Sequence, residues 1–114
     1  MNQSSIKSTI STDPGCVAAA VRILGDKWTP HIIRALASDT ATRFCQLQDA
    51  VGGVNPRTLS ARLAHLENAG IIVKTTRSII PPHTDYALTP KGKDLVPILE
   101  QMARWGEKYD PTKE

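Results

Sequence analysis

The sequence predicts a mainly α-helical domain closed by one small β-hairpin. Three observations carry that expectation. Apolar residues recur at helical spacing in five separate stretches. A capping residue followed by proline occurs at Thr29-Pro30, Asn55-Pro56 and Thr89-Pro90, each a helix start. One region, Ile71 to Arg77 with Asp85 to Leu88, reads as paired β-runs across a turn carrying Pro81-Pro82.

The elements follow in order. Residues 1–14 are polar and read as a tail, with a single domain over 15–109 and a short tail over 110–114. From Cys16, the residues Val17, Ala20, Val21 and Leu24 fall at i, i+3, i+4 and i+7, giving a helix with one buried face that stops at Gly25. Lys27-Trp28 makes a tight corner, with Trp28 plugging the core there. Thr29-Pro30 opens a second helix through Ile32, Ile33, Leu36 and Ala37. A third runs from about Arg43 to Val51, with Phe44, Leu47 and Val51 inward, and Gly52-Gly53 breaks it. Asn55-Pro56 starts the fourth, whose stripe is Leu59, Leu63 and Leu66 and whose stop is Gly70. Two short helices joined by a Gly-containing turn match the helix-turn-helix pattern, and the hairpin after them is a wing. The last helix is expected from Thr89-Pro90 to Tyr109. Pro97 within it predicts a kink, or else two separate helices.

Charge points to a polyanionic partner. The chain carries 14 Lys+Arg against 11 Asp+Glu, a net +3. Between Asn55 and Arg77 stand Arg57, Arg62, Lys74 and Arg77 with Glu67 as the only acid, so this segment holds the whole excess. A basic patch on a near-neutral body is the footprint of nucleic-acid binding. Two cysteines, Cys16 and Cys45, are too few for a disulfide framework, and their spacing from His31, His65 and His83 fits no metal motif. No catalytic constellation stands out, so no enzyme activity and no cofactor are expected. No apolar run approaches the ~20 residues of a membrane helix, and no signal peptide is visible, so a cytoplasmic location is expected.

The blocks Leu24-Gly25-Asp26-Lys27-Trp28-Thr29, Arg43-Phe44-Cys45-Gln46-Leu47, Leu59 through Glu67 to Gly70-Ile71, and Pro81 through Thr89-Pro90-Lys91-Gly92 occur in this order. Together they resemble the HxlR family of bacterial winged helix-turn-helix regulators, relatives of the MarR type. The resemblance covers nearly everything from Cys16 to Gly106. It implies a homodimer, joined through the N- and C-terminal helices, that binds operator DNA and controls nearby genes.

Residue roles follow from the helical wheel. With the leucine stripe inward, Arg57, Ala61, Ala64 and Asn68 point away from the body, and Thr58, Ser60 and His65 flank them. Arg57 in the first turn is placed for a guanine edge or a phosphate. Arg62 lies nearer the buried edge, with a structural or phosphate role. Lys74, Arg77 and His83 lie on the wing, and Asn55 is first a cap. Val17, Ala20, Val21, Leu95, Leu99, Met102 and Trp105 form an apolar excess near the two termini, expected at a two-fold dimer interface. Cys16 at a helix start is a candidate redox or electrophile switch, since the helix dipole favours the thiolate. Cys45 is its possible partner across the dimer or, on a helix packed against the core, a small buried hydrophobe. Some family members use an N-terminal cysteine as a switch. The expected function is a sequence-specific repressor acting as a homodimer on a palindromic operator. Two alternatives are a winged-helix protein-interaction module without DNA binding, and a sensor with a small molecule at the dimer interface.

Overall fold

In the computed structural model the described residues are 17–38, 40–78 and 83–110, with the backbone alone at 77 and 78. Cys16, the Pro81-Pro82 turn and the 1–14 tail lie outside them. The order is α1 (Val17–Leu24), α2 (Thr29–Ala35), β1 (Thr42–Arg43), α3 (Phe44–Ala50), α4 (Pro56–Asn68), β2 (Ile72–Ser78), β3 (His83–Leu88), α5 (Pro90–Lys93) and α6 (Val96–Tyr109). Among the described residues, no helix is long and apolar enough to cross a membrane.

The core gathers Ile32, Ile33 and Leu36 of the α2 region, Leu47 of α3, and Leu59, Leu63 and Leu66 of α4 beneath Ile71 and, from the sheet, Ile72, Tyr86 and Leu88. Leu99 of α6 closes it. Trp28 and Phe44 are partly buried against its margin. The leucine spacing of α4, four residues and then three, therefore does what the sequence predicts: it anchors one face and leaves the opposite face free.

The wing is a three-stranded antiparallel sheet in the order β1-β3-β2, not a two-stranded hairpin. Thr42 pairs with Tyr86 and Arg43 with Asp85. A two-residue strand has no periodicity to read, and its partner lies far along the chain. The ladder between β2 and β3 runs from Ile72 opposite Leu88 to Thr76 opposite Thr84, then shifts so that Ser78 faces His83. Arg77 occupies that bulge, which twists the wing near its tip.

Two helix starts differ from expectation. The side chain that holds the start of α2 is Asp26, two residues before the N-cap position Trp28, and not Thr29: its Oδ1 accepts the backbone N–H groups of Trp28 and Thr29, both at 2.8 Å. Thr29 is fully buried and donates its hydroxyl to Asp26 Oδ2 at 2.6 Å. A carboxylate reaches donors that the shorter Thr29 side chain, already inside the helix, cannot. The C-terminal segment is two helices rather than one kinked helix. Pro97 sits in the first turn of α6, where a missing N–H breaks no bond.

The far end of α4 is held with unusual completeness. Gly70 has φ 77°, Gly70 N–H bonds to Glu67 O at 3.0 Å and Ile71 N–H to Leu66 O at 2.9 Å, a Schellman closure. Lys91 Nζ donates to Ala69 O at 2.8 Å, and the Thr89 hydroxyl lies within reach of Gly70 O and Ile71 O. Thr89 Oγ1 in turn accepts Gly92 N–H at 3.1 Å. A Cβ on Gly92 would collide with the Ile71 carbonyl. Gly92→Ala is therefore expected to lower unfolding free energy by about 1–3 kcal/mol through forced backbone displacement. Urea denaturation with an unchanged midpoint would show that this junction has slack.

Candidate nucleic-acid interface

The exposed face of α4 is the centre of the site. Asn55 Oδ1 accepts Arg57 N–H at 2.8 Å and fixes the first turn. Arg57, Ser60, Ala61, Ala64, His65 and Asn68 are exposed, and Thr58 and Arg62 are half-buried on the flank. The face therefore combines one cation in the first turn with small side chains that let the backbone approach a partner. Gln48 Nε2 donates to Val54 O at 3.0 Å, setting the turn between α3 and α4.

The wing stands beside this face. A cleft of about 120 Å³ lies between them, lined by Ser60, Leu63, Ala64 and Glu67 of α4 and by Lys74 and Tyr86 of the sheet. Lys74 is exposed at its edge, opposite Tyr86 in the ladder. Burial, then the Glu67 carboxylate, pushes the Tyr86 phenol above its usual range, so it stays neutral and anchors the wing. His83 Nε2 lies 3.1 Å from Asp85 Oδ1, so this ring is tied to its own strand. The side chain of Arg77 lies outside the described residues.

Arg62 approaches Asp26 at 3.7 Å, from Nε to Oδ1, so its acid lies at the α1–α2 corner. Asp26 was absent from the sequence-derived site. A signal was present: an acid three residues before Thr29, ahead of an apolar run, is a capping pattern.

A second surface is apolar. Val17 is 71% and Trp105 67% exposed, and Val21, Ile98, Met102 and Tyr109 are exposed beside them. Val17, Ala20, Val21 and Leu24 of α1 face Ile98 and Met102 of α6 across a groove of about 340 Å³. No residue of α1 is buried within the chain, against the expectation of a buried face. Leu99, expected in this stripe, is 2% exposed and belongs to the core, and Leu95 packs against that core. The register of α6, restarted after Asp94, turns Ile98 outward and Leu99 inward. Trp105 and Tyr109 rings stand 5.4 Å apart at the helix end.

Cys45 is exposed, at the second position of α3, which overturns its reading as a buried hydrophobe. The inward positions of that short helix are taken by Phe44 and Leu47.

Comparison with known proteins agrees with this geometry. The HxlR-like helix-turn-helix family model matches residues 23–114. An HTH-type transcriptional regulator of Halalkalibacterium halodurans, BH0655, is 38% identical over 86 residues, covering 75% of this chain and 76% of its own. A chain described as a MarR-family transcriptional regulator of Porphyromonas gingivalis W83 superposes with TM-score 0.78 at 30% identity, covering 89% of this chain and 98% of that one. The redox regulator HypR in its oxidised form gives TM-score 0.74 at 30% identity, covering 82% and 95%.

Proposed function

Because this chain belongs to the HxlR-like helix-turn-helix family and is a winged-helix, DNA-binding transcriptional regulator, we propose that it is a cytoplasmic repressor acting as a homodimer on a palindromic operator. The observation that carries this reading is the exposed face of α4, capped at both ends and set beside Lys74 of the wing. Each α4 enters a major groove, and each wing lies on the flanking backbone. The groove between α1 and α6 supports the two-fold contact, since an apolar face of this kind is otherwise left in water.

The test is binding of duplex DNA across a salt series. Affinity falls steeply with ionic strength through counterion release if the chain binds DNA; a protein-interaction module shows no such slope. Within that assay, Arg57→Ala is expected to weaken specific binding by about 1–3 kcal/mol and relax preference at one base position. Lys74→Ala weakens specific and non-specific binding alike and lowers the salt slope by about one. Equal behaviour of the two variants would place Arg57 on phosphate rather than on a base edge.

A cysteine-based signal is the second part of the proposal. It is supported by the likeness to HypR, described as a redox regulator, and by the exposure of Cys45. Cys16, which precedes Val17 in the sequence, is the proposed sensor, with Cys45 of the other subunit as its disulfide partner. Diamide is expected to release DNA from the wild type and to leave Cys16→Ser bound. Identical responses of the two proteins would remove Cys16 from the signal and favour a small-molecule inducer at the dimer interface.

A further inference from the structure

Asp26 does more than cap a helix. Its Oδ1 accepts two backbone N–H groups and its Oδ2 the Thr29 hydroxyl, all within 2.8 Å. The fully buried Thr29 makes that corner stiff. From the other side, Arg62 of α4 places Nε 3.7 Å from Oδ1. This is an ion-pair contact, well beyond the ~2.9 Å of a hydrogen bond. Arg62 Nε is shut off from solvent and has no hydrogen-bond partner among the described residues. The side chain as a whole is nevertheless 40% exposed. A guanidinium is a rigid fork of five N–H donors. The Nε edge is turned inward, while the side chain as a whole reaches solvent on the flank of the face that carries Arg57 and Ala61.

We infer that Asp26 is a positioning residue for DNA binding: it holds the Nε edge of Arg62 so that the terminal nitrogens of that guanidinium meet one DNA phosphate. The inference rests on the proposed role of α4. A planar fork is suited to this double duty, since one edge serves the carboxylate and the other a tetrahedral anion. Burial alone would raise the Asp26 pKa. The hydrogen bonds from Thr29 and Trp28, with the Arg62 charge, hold it below the usual carboxylate value, so the tether is ionised at neutral pH. The orphaned Nε–H also has a use: a shift of about an ångström, on docking, brings it into hydrogen bonding with Asp26.

The sign of the effect separates this role from general electrostatics. Deleting an acid near DNA ordinarily tightens binding by reducing repulsion. Here Asp26→Asn weakens it. The probe is a duplex that the wild type selects from a randomised pool, titrated over a salt series, with folding checked by circular dichroism. Asp26→Asn is expected to bind about tenfold more weakly and to lose about one unit of salt slope. Arg62→Lys leaves the corner's hydrogen bonds intact and keeps the charge, but has no fork to divide between two anions. It is expected to show the same loss, and it decides the matter if Asp26→Asn does not fold. In an Arg62→Gln background, Asp26→Asn adds nothing. Wild-type affinity and slope in Arg62→Lys overturn the inference, as does an Asp26→Asn effect undiminished in Arg62→Gln. A wild type that selects no duplex overturns the DNA reading itself, and this inference with it.

Discussion

Val21→Glu combined with Met102→Glu is expected to leave the chain a monomer at micromolar concentration, where the wild type is expected to scatter light as about twice its 12.4 kDa mass. Both side chains line the α1–α6 groove and are already exposed in the single chain. The substitutions therefore cost the monomer little, while two copies would have to bury four unpaired carboxylates at a self-complementary interface. Operator affinity should fall by about a hundredfold or more, because two linked half-site contacts become one. A doubly substituted chain that still dimerises would move the interface elsewhere. A monomeric variant with undiminished affinity would remove the two-half-site operator.

Leu59→Ala is expected to lower unfolding free energy by about 2–5 kcal/mol. Leu59 is fully buried beneath the first turns of α4, next to the cap at Asn55. Truncation removes apolar contact and leaves a cavity between α4 and its neighbours in the core. For a domain this small that is a large part of a total stability of about 5–15 kcal/mol. Denaturant unfolding checks it, and DNA binding at low temperature should survive in the fraction that remains folded. A loss below about 1 kcal/mol would mean that the surrounding core collapses into the gap.

Local grammar made most of this molecule legible. Asn55-Pro56 and Gly70 bound α4 because an Asx acceptor, a proline without N–H and a glycine at positive φ act within a few residues of themselves. The Leu59, Leu63 and Leu66 stripe identified the buried face and, by subtraction, Arg57 and Ala61 as exposed. Proline was harder. Pro97 reads first as a kink and only second as a restart, and the choice depends on whether Asp94 and Leu95 continue a helix, which packing decides.

The amino-acid sequence by itself determined the start and stop of α4, the order of helices and wing, the inward face of α4 and the local excess of positive charge. Each depends on a residue's own conformational preference or on a period of a few residues. Only the tertiary structure decided that Thr42–Arg43 joins the wing, that Leu99 turns inward while Ile98 faces out, that Cys45 is exposed, and that Asp26 meets Arg62. These are contacts or orientations set between segments distant in the chain, or by a helix register that restarts without a periodic cue. A carboxylate at residue 26 and a guanidinium at residue 62 carry no mark of their proximity until the corner and α4 pack against the same core.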